Sequence, residues 1–205
     1  MYKALYRKWR PLKFDDVISQ EHITDTLKNQ VINNKTAHAY LFTGSRGTGK
    51  TTCARILAKA VNCKSVNNGN PCLECDICHD ADNGTLTDIV EIDAASNNGV
   101  DDIRELRDAT VYTPERCNYK IYIIDEVHML SPSAFNALLK IMEEPPDYVK
   151  FILATTEIHK VPATIVSRCQ RYDFRRIKTE DIAKRLLYIA EQENIKVTDE
   201  GAFLI

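Results

Sequence analysis

No stretch of the 205-residue sequence approaches the roughly 18 apolar residues that a membrane-spanning helix needs. The opening "MYKALYRKWRPLKF" also lacks the apolar centre of a secretion signal, so the chain reads as a cytoplasmic protein without a membrane partner. Charge of one sign is lacking too: 27 Lys and Arg against 29 Asp and Glu leave a formal net charge of −2. That balance excludes a global electrostatic pull toward nucleic acid and leaves only local patches, at Lys8 and Arg10 or around Arg171, Arg175, Arg176 and Lys178. A solvated face is the plainer reading of each patch. Internal repeats and low-complexity tracts are absent, which excludes a solenoid. What is present is the composition of a globular protein, 44% hydrophobic and 27% charged, long enough for one α/β domain and the beginning of something smaller.

Short apolar runs alternate with helical periodicity. "AYLFT" at Ala39–Thr43 reads as a parallel strand buried on both faces, "DIVEID" at Asp88–Asp93, "KIYIID" at Lys120–Asp125 and "KFILATT" at Lys150–Thr156 as further β-rich runs, and "QRYDF" as a last strand. Ser19 is placed to cap a helix carrying Ile23, Leu27 and Val31. "TTCARILAKAV" forms a second helix, Ile103 and Leu106 mark a third, and Ser131-Pro132 opens a fourth that bears Phe135, Leu138, Leu139 and Met142. A helix over Thr179–Gln192 with Ile182, Leu186, Leu187 and Ala190 on one side follows the last strand. The apolar ending "GAFLI" resembles half of a helical element, so the expected division is a nucleotide-binding domain over 1–174 and the truncated start of a helical domain over 175–205.

"GSRGTGKT" lies between a predicted strand and a predicted helix and fits the phosphate-loop pattern. Gly44, Ser45, Arg46, Gly47, Thr48 and Gly49 would turn backbone N–H groups toward phosphates, with Thr52 following on the helix. Lys50 would reach the terminal phosphates and Thr51 would offer its hydroxyl to Mg²⁺. The alternative is a glycine turn that binds nothing. A phosphate loop needs an acid at a neighbouring strand end, and "IYIIDEVH" supplies Asp125 for Mg²⁺ and Glu126 to polarise an attacking water. Thr155 and Thr156 end another strand where a hydroxyl would approach the terminal phosphate. Arg168 in "SRC" sits where a helix gives way to the last strand, and spacing alone does not say what it touches.

Seven cysteines is an odd number, and four of them fall within sixteen residues as C-x8-C-x2-C-x2-C: Cys63, Cys72, Cys75 and Cys78. Four thiolates close a tetrahedral shell at about 2.3 Å and leave no position for a catalytic water, so the cluster reads as structural zinc. Redox chemistry or free thiols would not call for four cysteines so close together. The segment 63–78 is then a zinc-binding insertion, and metal loss is expected to unfold it locally without touching nucleotide binding at Lys50.

Taken in order, the phosphate loop, "EIDAAS", "DEVHML", "NALLKIMEEPP", "LATT" and "SRC" resemble AAA+ ATPases of the clamp-loader family from Tyr6 to about Phe174. The resemblance implies a P-loop α/β fold with a five-stranded parallel sheet, an inserted zinc module, and a helical lid. It implies ATP, Mg²⁺ and structural Zn²⁺ as cofactors. The matching positions make Lys50, Asp125, Glu126 and Thr155 catalytic, and Arg168 a finger acting on ATP held by a neighbouring subunit. They also bring Arg10, Pro11 and Val17 toward the adenine. Implied partners are other clamp-loader subunits, a sliding clamp and primer–template DNA, with hydrolysis releasing the clamp onto DNA. No position before Ile205 aligns with the family's second sensor arginine. Rival readings are another AAA+ motor such as a branch-migration helicase, a zinc module that binds nucleic acid, and a non-hydrolysing scaffold subunit.

Overall fold

The computed structural model describes residues 4–204; Ile205, the last residue of the apolar ending, lies outside the described residues. Five parallel strands form one sheet in the order β2-β3-β4-β1-β5: β1 Ala39–Thr43, β2 Ile89–Asp93, β3 Lys120–Asp125, β4 Val149–Thr155 and β5 Gln170–Asp173. The expected five-stranded parallel sheet is therefore present. Nine α-helices are described: α1 Leu5–Lys8, α2 Glu21–Ile32, α3 Lys50–Asn62, α4 Asp76–Asn83, α5 Val100–Thr110, α6 Pro132–Glu143, α7 Ala163–Val166, α8 Thr179–Gln192 and α9 Asp199–Leu204.

Strand alternation divides the core into two layers. Leu41, Tyr122, Ile124, Phe151 and Leu153 face α5 and α6, whose Ile103, Leu106, Phe135, Leu138 and Met142 are buried against them. Tyr40, Phe42, Ile121, Ile123 and Ile152 face the opposite way, onto Ile23 and Leu27 of α2 and Ile56 and Leu57 of α3. Burial on both sides explains why β1, β3 and β4 read as continuous apolar runs rather than as alternating ones, whereas β2 and β5 are more exposed.

Three local expectations need correcting. Ser19 does not cap α2: it adopts φ 59°, and its hydroxyl donates to Asp181 Oδ2 of α8 at 2.6 Å, while Gln20 takes the cap position. Gln20 is fully buried and exchanges two bonds with the Arg175 backbone, so this segment is tied to the start of α8 rather than to its own helix. Ile182 is exposed, and α8 buries Ala183 and Ala190 instead. Asp88 precedes β2, and its carboxylate accepts from the N–H groups of Glu115, Arg116 and Cys117 at 2.8, 2.8 and 3.0 Å. Ser131, by contrast, caps α6 as its sequence indicates, accepting from Ala134 N with Pro132 in the first turn.

Of the basic patches, Lys8 pairs with the half-buried Glu193, and Arg171 pairs with Asp173 at exposed positions where such a pair contributes little. Arg175 and Arg176 are exposed, in line with a solvated face.

Candidate functional site

Parallel sheets gather their loops at the carboxyl ends of the strands, and ligand sites form where neighbouring connections diverge. Here β1 lies between β4 and β5, with Thr43 in register with Thr155 on one side and Asp173 on the other. The loop after β1 thus emerges between the ends of β4 and β5, with the end of β3 one strand further on.

Gly44 leaves the strand at φ 148°, with its N–H bonded to Thr155 O. A Cβ added there would meet Phe174 O at 2.6 Å, so only glycine lets the loop pass the end of β5. Gly44→Ala is expected to lower stability by about 1–3 kcal/mol, read as a lower urea midpoint at unchanged slope. Gly47 and Gly49 also take positive φ, and Gly49 occupies the N-cap of α3. Thr48 is buried and closes the loop by donating to Ser45 O at 2.8 Å.

Lys50 is the first residue of α3 and is only 5% exposed. Its ammonium donates to Gly44 O and Ser45 O, both at 2.9 Å, and so folds back over the loop. Burial holds its pKa below the ordinary lysine value, against the opposing pull of Glu126 and Asp125. An anion in the loop would supply the counter-charge that burial denies it. Thr51 Oγ1 donates to Asp125 Oδ2 at 2.7 Å, bringing a hydroxyl and a carboxylate together across 74 residues of sequence. This pair of hard oxygen donors is of the kind that binds Mg²⁺ together with phosphates.

Glu126 stands one residue beyond β3 in the left-handed region, φ 48°. Its Oε2 accepts from Thr156 N at 3.2 Å and Thr156 Oγ1 at 2.9 Å. Thr155 is fully buried, and its hydroxyl lies 3.1 Å from His128 Nδ1 and accepts from Glu157 N at 3.0 Å. His128 and Glu157 escaped the sequence reading. The only signal was that "DEVH" and "TTE" end neighbouring strands.

Arg168 is not part of this cluster. Its guanidinium donates to Thr164 O and to Glu143 Oε1 at 2.8 and 2.9 Å, and makes no hydrogen bond to residues 44–52, Asp125 or Glu126 among the described residues. Arg10 and Pro11 line a cavity of about 750 Å³ with Thr52, Arg55 and Glu91, whereas Val17 lies beside Gly49. Burial and the nearby Arg55 guanidinium hold the Arg10 pKa down.

The four sulfurs of Cys63, Cys72, Cys75 and Cys78 lie within 4.8 Å of one another. A tetrahedron with vertices about 2.3 Å from its centre has edges of about 3.8 Å, and Cys72 and Cys78 are 3.9 Å apart. The cluster therefore fits a four-thiolate metal shell, and exposed His79 stands outside it. Burial opposes ionisation of Cys72, but the N–H groups of Glu74 and Cys75 and neighbouring thiols lower its pKa to about 6. The insertion is more closely joined to the domain than its polarity indicates. Asn70 is buried, accepts from Phe14 N and donates to Asp15, while Lys59, with a side chain 4% exposed, pairs with Asp82 at 2.6 Å.

A family model described as "DNA polymerase III, delta subunit" matches residues 19–178. The tau subunit of DNA polymerase III from Bacillus subtilis is 56% identical over 204 residues, covering 100% of this chain and 36% of that protein. The chain thus spans about a third of that relative's length. Among solved structures, a DNA polymerase III gamma subunit-related protein from Thermotoga maritima is 26% identical, with TM-score 0.59, covering 87% of this chain and 56% of that one. The RuvB Holliday junction branch migration motor of Thermotoga maritima superimposes with TM-score 0.65 over 95% of this chain and 58% of that one, at 18% identity. That last likeness shows a shared fold alone. The chain belongs to the family of DNA polymerase III tau and gamma subunits.

Proposed function

We propose that this chain is the ATP-binding and ATP-hydrolysing part of a clamp-loader subunit, which works with subunits of the delta and delta-prime type to open a sliding clamp and load it on primer–template DNA. The observation that carries this reading is the meeting of Lys50, Thr51 and Asp125 at the end of the sheet, with Glu126 one residue further on. In it, residues 44–52 hold the phosphates through backbone N–H groups, and the Lys50 ammonium leaves the loop carbonyls to bind the terminal phosphates. Mg²⁺ held by Thr51 and Asp125 would supply charge neutralisation on the transferring phosphate. Glu126 accepts the proton of the attacking water, and Thr155, at the end of β4, orders the polar edge beside it. Arg168 acts in trans on a neighbouring subunit, and Arg10, Pro11 and Val17 border the base.

Zinc held by Cys63, Cys72, Cys75 and Cys78 has a structural role here. The division into a nucleotide-binding domain (1–174) and the start of a helical lid (175–205) belongs to the same proposal.

Lys50→Met keeps the side-chain length and removes the charge. It is expected to weaken ATP binding on the order of 10- to 100-fold, measured by equilibrium titration; unchanged affinity would remove the phosphate-loop assignment. A branch-migration motor shares the fold, but the four-cysteine cluster and the tau relative favour the clamp loader.

A further inference from the structure

Glu126 is held on one side only. Its Oε2 takes two donors from Thr156, whereas Oε1 meets no hydrogen-bond donor among the described residues. The third group at Oε2 is His128, whose Nδ1 lies 3.3 Å away and whose side chain is 6% exposed. His128 reaches this place because Glu126 takes a left-handed turn and residues 127–129 form one 3₁₀ turn, with Val127 fully buried beneath it. Nδ1 makes its hydrogen bond with Thr155 Oγ1 at 3.1 Å, and the ring also lies close to two carboxylates, Nδ1 to Glu126 Oε2 and Nε2 to Glu157 Oε1, each at 3.3 Å. Such a ring has little freedom to rotate, and it presents Nδ1, not Nε2, to Glu126.

We propose that His128 is a positioning residue for Glu126: its Nδ1 edge, together with Thr156, anchors one carboxylate oxygen and leaves the other available to the attacking water. The inference rests on the hydrolytic reading of the site. A carboxylate free to rotate would spend little time with an oxygen in line with the water, whereas one anchored through Oε2 keeps Oε1 in a single place. Thr155 and Glu157 act at one remove, by orienting the ring.

The two ring nitrogens give the test its discrimination. Asparagine places an amide nitrogen near the Nδ1 position, while glutamine places its amide nearer Nε2. The full-length protein is assembled with its partner subunits, and kcat and KM for ATP are measured with clamp and primed DNA present. His128→Ala and His128→Gln are expected to lower kcat by about tenfold, the size of a hydrogen bond to a charged group. KM and the equilibrium ATP affinity should stay within about twofold. His128→Asn should recover kcat to within about threefold of wild type.

Equal loss in all three variants would mark a merely structural histidine and overturn the proposal. So would a rise in KM at unchanged kcat, or kinetics unchanged in His128→Ala. Absence of turnover in the wild-type assembly would overturn the hydrolytic reading itself, and this inference with it; wild-type turnover with an unaffected His128→Ala overturns this inference alone.

Discussion

Arg168→Ala is expected to leave ATP affinity of this chain unchanged and to lower clamp-stimulated hydrolysis in the assembled complex by on the order of 10³–10⁵. Affinity should hold because the guanidinium bonds Thr164 O and Glu143, not the phosphate loop or its acids. Hydrolysis should fall because a positive charge delivered to the transferring phosphate stabilises charge that develops only in the transition state. The side chain is 35% exposed, on the short segment between α7 and β5, where it is accessible to a neighbouring molecule. Its pair with Glu143 also gives it a resting partner, which must be shared or released on engagement. Retained stimulation in Arg168→Ala would show that the residue serves only α6 and α7.

Removing the metal from the cysteine cluster should have the largest effect on stability. Four thiols held within 4.8 Å without an ion would have no counter-charge if ionised and little to hold them together if not. Loss of the insertion would loosen α4, which carries Cys78 and, beyond the insertion, Asp82, and would so reach the domain at Lys59. Its buried ammonium has Asp82 as salt-bridge partner, and breaking such a pair costs about 3–5 kcal/mol. At about 2–4 °C per kcal/mol for a chain of this size, the melting temperature should fall by on the order of 10 °C. Asn70 carries a second effect, since it bonds Phe14 N, and Phe14 is followed three residues later by Val17 beside Gly49. The expectation that metal loss leaves nucleotide binding untouched therefore applies to Lys50 but not to the Phe14–Val17 segment. A zinc-selective chelator that spares Mg²⁺, followed by thermal unfolding and limited proteolysis, checks this. New cleavage between residues 63 and 88 is expected; an unchanged melting temperature and digest would mean the fold of the insertion does not depend on metal.

The centre of the sheet was legible because β1, β3 and β4 are buried, and because β1 runs into Gly44 and β3 ends in Asp125. β1 and β3 begin and end where their apolar runs do, and the site residues that close them follow directly. Local capping chemistry was legible at Ser131 and misleading at Ser19. The difference is tertiary: Ser131 has α6 alone to satisfy, whereas Ser19 has Asp181 of α8 within 2.6 Å. α8 shows the same effect, since its periodicity permits two faces and its contact with Trp9, through Tyr188, helps select one that leaves Ile182 outside. His128 was illegible for a simpler reason. Two of its contacts, Thr155 and Glu157, lie 27 and 29 residues on, and nothing in "DEVH" specifies which strand end will stand opposite.

An ATP-driven motor whose sites are completed by assembly should show itself in steady-state ATP turnover. The full-length protein would be tested alone, with its partner subunits, and with sliding clamp and primed DNA added. Low turnover alone, a rise on assembly and a further rise with clamp and DNA are the expected results, all abolished in Glu126→Gln while ATP still binds. Turnover by the lone subunit equal to that of the full assembly would mean that its site is complete without a neighbour.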